Sequence, residues 1–143
     1  MNYYKNKLIT TAVVFVVSII ITLMCTTKSV AEDEISFYKT IDSEITRLTK
    51  EYKVDEKVIK AIIKCESQNN SKAINSNKDS KGKIWSIDYG AMQINNYFHF
   101  DTMNNLGLDY YDEYDSLEYG IRLYSIEGLK PWGASKQCWS KLI

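Results

Sequence analysis

The chain has 143 residues, 18 basic and 18 acidic side chains with no net charge at pH 7, and 45% hydrophobic residues. That length suits one domain built around a single core. Nothing in it forms the basic patch that draws in a nucleic acid by counterion release, so no nucleic-acid partner is expected.

At the start, Lys5 and Lys7 precede a mostly apolar stretch from Leu8 to Met24, and Ser29-Val30-Ala31 places small residues at −3 and −1 of a cut before Glu32. This is the layout of a secretory signal peptide, so residues 1–31 are set apart from a domain expected over 32–143. The apolar stretch is long for a signal, and the alternative is an uncleaved membrane anchor with the domain outside. Both readings export the domain, to the periplasm, the cell wall or the medium. Cleavage would remove Lys5, Lys7 and Lys28, leaving fifteen basic against eighteen acidic residues, a net charge of −3. Cys25 is read as part of the export segment, because Met24 is too large for the residue before a lipoprotein cysteine.

Two cysteines then remain, Cys65 and Cys138. Outside the cytoplasm such a pair can oxidise. Closing a loop of about seventy residues would add on the order of 4 kcal/mol by chain entropy. Two buried free thiols are the alternative. Two cysteines and the single His99 do not make a zinc set, so neither metal nor cofactor is expected. His99 itself is read as a loop or surface residue.

Ile35, Tyr38, Ile41, Ile45, Leu48 and Tyr52 recur at threes and fours, which predicts an amphipathic helix. Lys53-Val54 breaks it, and Asp55 is a suitable N-cap for a second helix with Val58, Ile59, Ile62 and Ile63 on its core face. From Gln68 to Ser86 the chain is rich in Asn, Ser, Lys and Gly, which predicts a loop or small irregular wing. Any strand would lie near Ile84-Trp85-Ser86-Ile87, as a short hairpin. A helical turn is expected from Gly90 through Ile94, followed by a polar, aromatic stretch. Asp115 or Ser116 then caps a helix through Leu117, Ile121 and Tyr124 that Gly128 ends, and Pro131 opens a last helix. The class is mainly α, with at most a small irregular or short-hairpin wing.

Two acids stand out in this frame. Glu66 closes the second helix in Ile62-Ile63-Lys64-Cys65-Glu66-Ser67, and Asp88 opens Asp88-Tyr89-Gly90-Ala91-Met92-Gln93-Ile94-Asn95. An acid on an apolar helical face is placed to have its pKa raised by burial, as proton delivery to a leaving oxygen requires. Gly90 permits close backbone approach, and the side-chain amides of Gln93 and Asn95 each offer a paired donor and acceptor. Met92 and Ile94 read as core.

In order and spacing, Glu66-Ser67, the asparagines that follow, Ala73-x-Asn75 and Gly90-x-Met92-Gln93-Ile94-Asn95 resemble the lysozyme superfamily, and within it the bacterial lytic transglycosylases of SLT type. The resemblance runs from about Tyr52 to Trp139 and implies a lysozyme-like fold. It implies a secreted enzyme, most simply a monomer, that breaks the β-1,4 bond between MurNAc and GlcNAc in peptidoglycan glycan strands with Glu66 as acid and base. Secretion, conjugation and phage-assembly systems are the partners it implies. Ser67, Gln93, Asn95, Tyr124 and Trp132 become substrate-binding candidates, with Gln93 and Asn95 in the segment that lines the family's sugar groove, where they either contact sugar or brace the groove wall, although Ser125 follows Tyr124 where the family carries an asparagine.

Asp88 keeps a second mechanism open, because a retaining lysozyme pairs its acid with another carboxylate. A reading from another class is a non-catalytic wall-binding or assembly protein that retains the fold, against which the acid at Glu66 speaks. A Cys65–Cys138 bridge would tie the helix bearing the acid to the segment bearing Trp132.

Overall fold

The computed structural model describes residues 40–143. The export segment and the Ile35–Tyr38 start expected for the first helix lie outside the described residues. The fold is mainly α with a three-stranded antiparallel wing.

Helix α1 (Ile41–Glu51) opens at Thr40, whose hydroxyl accepts from the Ser43 amide while Ser43 Oγ accepts from the Thr40 amide. This reciprocal cap satisfies two donors that the first turn leaves without helical partners. Ile45 and Leu48 bury its inner face. Helix α2 (Glu56–Ser67) is capped by Asp55, which accepts from the Lys57 amide at 2.8 Å, as the sequence predicts. Ile59, Ile62 and Ile63 are buried on one stripe. The helix stops where Gln68 and Asn69 take left-handed backbone angles, φ 56° and 69°.

The wing is more regular than an Asn-, Ser- and Lys-rich loop suggests. Strands β1 (Ile74–Lys78), β2 (Ile84–Tyr89) and β3 (Ile94–Asn95) pair in that order. Asn75 lies opposite Asp88, Asn77 opposite Ser86, and Asp88 opposite Asn95. The turn from Gly90 to Gln93 is present, but Ile94 belongs to the sheet rather than to a helical turn. A Cβ on Gly90 would lie 2.5 Å from Ser116 Oγ, and φ is +82°, so both space and backbone exclude other residues there.

Helix α3 (Asn96–Asn105) fills the stretch read only as polar and aromatic. Helix α4 (Glu113–Glu127) begins earlier than expected, because Asp112 supplies its cap by accepting from the Tyr114 and Asp115 amides. Gly128 ends it, as predicted. The last segment is a 3-10 helix, Lys130–Ser135, with Pro131 in its first turn, running into the short α5 (Lys136–Trp139). Leu48, Ile59, Ile62, Met92, Met103, Tyr110, Leu117 and Ile121 form the centre of the core. The Tyr110 hydroxyl lies 2.6 Å from Ile94 O and 2.8 Å from Ile87 O, pinning β2 and β3 to the helical part.

Candidate active site

A cleft of about 560 Å³ lies between the wing and the C-terminal segment, and both acids line it. Glu66 enters from the last turn of α2 and is half-buried. Burial raises its pKa above the ordinary carboxyl value, and the nearby Asp88 charge adds to the rise. A hydrogen bond from Ser135 opposes it: Ser135 Oγ donates to Glu66 Oε1 at 2.6 Å. Ile94, Leu123, Pro131 and Trp132 make much of the apolar lining.

Ser135 was not anticipated. It follows Trp132 by three residues, past a kink at Trp132 (φ −98°, ψ 26°), and its hydroxyl lies 3.2 Å from Trp132 O. Trp132 is held in turn, donating from Nε1 to Met92 O at 2.9 Å while its own carbonyl accepts from Trp139 Nε1 at 2.8 Å. Cys65 and Cys138 are bridged, with Cα atoms 5.9 Å apart, so α2 is fastened to α5 one residue before Glu66.

Asp88 stands in a different setting. Its Oδ1 accepts from Asn95 Nδ2 at 2.6 Å and its Oδ2 from Asn77 Nδ2 at 2.9 Å. Both amides also reach the buried Ser86 Oγ, at 2.9 and 3.0 Å. One residue from each strand, Asn77, Ser86 and Asn95, therefore closes a polar cradle around the carboxylate. The alternation Asn75-x-Asn77 and Ser86-x-Asp88 is the signal that could have revealed it, since residues two apart share a strand face.

The remaining candidates divide by what their polar atoms already hold. Gln93 lines the cleft, but its Nε2 lies 2.8 Å from Gly90 O and 3.2 Å from Ala73 O, and its Oε1 accepts from Asn75 Nδ2 at 2.5 Å. Asn95 lines the cleft too, with its amide on Asp88 and its carbonyl oxygen capping α3 through the Tyr97 amide. Both therefore hold partners within the cleft wall. Ser67 Oγ donates back to Ile63 O, within its own helix. The Tyr124 ring packs against Trp132 with centroids 6.4 Å apart and lies outside the cleft lining, so the hydroxyl on Glu66 is that of Ser135.

His99 corrects an expectation. It sits on α3 and lines the cleft, its Nδ1 2.9 Å from the Tyr119 hydroxyl. Burial lowers its pKa, and Glu127 partly offsets that. Among the described residues no three His, Cys, Asp or Glu side chains converge as a metal set.

The model of the family described as Transglycosylase SLT domain matches residues 43–121, more than half of the chain. The chain belongs to that family. A lytic-transglycosylase type of activity with peptidoglycan as substrate comes with the membership. Neither the curated proteins nor the solved structures yield a match. The matched segment of this SLT domain contains Glu66, Asp88, Gln93 and Asn95 and stops before Trp132, Ser135 and Cys138. One wall of the cleft is thus built from residues beyond the family match.

Proposed function

We propose that this SLT-domain protein is an exported lytic transglycosylase that breaks the MurNAc–GlcNAc β-1,4 bond with Glu66 as its acid and base. The observation that carries the reading is the half-buried Glu66 carboxyl, its pKa raised by burial, in a cleft whose lining includes Ile94, Leu123, Pro131 and Trp132. A carboxyl that holds its proton nearer neutral pH can deliver it to the glycosidic oxygen. As the carboxylate, it then takes the proton of the sugar's own 6-hydroxyl, whose oxygen closes on C1 as the anhydro ring forms. Ser135 can serve both states, donating to the charged form and turning its proton to Trp132 O, 3.2 Å away, when Glu66 is protonated. The Cys65–Cys138 bridge supports export, because disulfides persist outside the reducing cytoplasm.

The Asp88 cradle favours a second reading. A retaining hydrolase sets one carboxyl in an apolar place and the other in a polar, hydrogen-bonded one, and Glu66 and Asp88 follow that division. Membership of the SLT family weighs toward the lyase.

The test is Glu66→Gln on purified cell walls, at equal concentrations of folded protein. Gln keeps the shape and can still accept from Ser135 but cannot transfer the proton. Cleavage should fall about 10²–10⁴-fold. Near-normal cleavage by this variant would falsify the assignment.

A further inference from the structure

Phe98 and His99 line the cleft, and from Phe98 a row of aromatic rings leads out of it. The Phe98 and Tyr97 centroids are 5.0 Å apart, and those of Tyr97 and Trp85 are 5.5 Å apart, each pair edge to face. These rings are 64%, 69% and 48% exposed for Phe98, Tyr97 and Trp85. Large apolar groups left contiguous on a surface mark a place of contact.

We propose that Phe98, Tyr97 and Trp85 form a platform that carries the glycan strand out of the cleft and across the wing. This rests on peptidoglycan being the cleft's substrate. The row is continuous with the cleft through Phe98, and it is tied to the same cradle. Asn95 grips Asp88 with its amide and caps the helix bearing Tyr97 and Phe98 with its carbonyl oxygen. Trp85 is the extra residue of a β-bulge: Ser86 pairs with Asn77 and Ile84 with Lys78, leaving Trp85 unmatched. Bulges re-aim side chains beside active sites. Successive perpendicular rings make a narrow stepped track rather than a flat apolar plate. Because neighbouring rings stand edge to face, a strand crossing them would stack a pyranose C–H face on one ring and rest on the edge of the next. Trp and Tyr suit such a wet surface, with an apolar body and a polar tip.

The experiment measures binding without turnover, in full-length Glu66→Gln protein, by calorimetry. The probes are peptide-free glycan strands prepared from purified walls, as a long-strand pool and a tetrasaccharide pool. Trp85→Ala with Tyr97→Ala should weaken long-strand binding about tenfold and bring the long-to-short affinity ratio toward one. Trp85→Tyr with Tyr97→Phe, which keeps the rings, should restore most of the affinity. Unchanged long-strand affinity, or an equal loss on both pools, overturns the platform alone. Loss of binding to anionic phospholipid vesicles, with strand binding kept, also overturns it and assigns the rings to a membrane surface. If the Glu66→Gln protein binds neither pool, the platform and the peptidoglycan reading fall together.

Discussion

Glu66 and Asp88 face one cleft from two differently built regions. Glu66 comes from a helix end among apolar neighbours, with one hydroxyl on it, and burial lifts its pKa. Asp88 comes from the middle strand of a polar wing, and amides hold both of its oxygens. The same functional group is therefore given two natures by its support. The helical side makes a carboxyl that can exchange a proton, and the sheet side makes one that is fixed in place. The supports also differ in kind, a disulfide and two tryptophans on one side and an asparagine cradle on the other.

The contrast breaks most sharply at Glu66. Beyond the loss of cleavage, Glu66→Gln has a stability signature. A carboxyl with a raised folded pKa weighs against the fold above that pKa, where it is charged, and the penalty disappears as pH falls below its unfolded value. Thermal melting should therefore give Glu66→Gln a Tm at or above the parent's at pH 7, with the difference closing in acid. A difference that widens in acid contradicts the buried-acid account.

Unfastening the Glu66 side comes next. Cys138→Ser opens a bridge spanning 73 residues, which should lower unfolding stability by about 4 kcal/mol or somewhat less in denaturant titration. Cleavage should decline with it. The Asp88 side has a smaller counterpart in Asn77→Ala, which removes one amide from the cradle. It should cost about 1–3 kcal/mol by the same titration, since the lost bond is to a charged group. It should leave the pH profile of cleavage close to the parent's. Smallest is Ser135→Ala. The lost hydrogen bond favours the charged form of Glu66, so its removal raises the pKa further and the alkaline limb of the rate profile moves to higher pH. A shift to lower pH would mean that Ser135 does not act through Glu66.

The sequence made the Glu66 side far more legible than the Asp88 side. Ile59, Ile62 and Ile63 recur with helical period and Asp55 is a suitable cap just before them, so α2 and the place of Glu66 at its end are legible in the sequence. The wing hid its order in residues of low strand propensity, because Asn77 and Ser86 serve the cradle and Asn75 holds Gln93, so none of them forms an apolar face. Only Met103 is buried on helix α3, so no apolar stripe in the sequence announces it. The start of α4 slipped because Asp112, Asp115 and Ser116 are all plausible caps, and only the structure shows which one accepts the free amides. Ser135 meets Glu66 across 69 residues of chain, a proximity that local pattern cannot carry.

The most direct test of the central claim is mass spectrometry of the muropeptides that parent protein and Asp88→Asn release from purified walls. If Glu66 alone works as acid and base, both release anhydro-ended products. Asp88→Asn is then slower by roughly tenfold, about 1.4 kcal/mol of transition-state stabilisation. Products one water heavier from the parent, together with a collapse of activity by several orders in Asp88→Asn, would contradict the lyase and make Asp88 the partner of Glu66 in a retaining hydrolase.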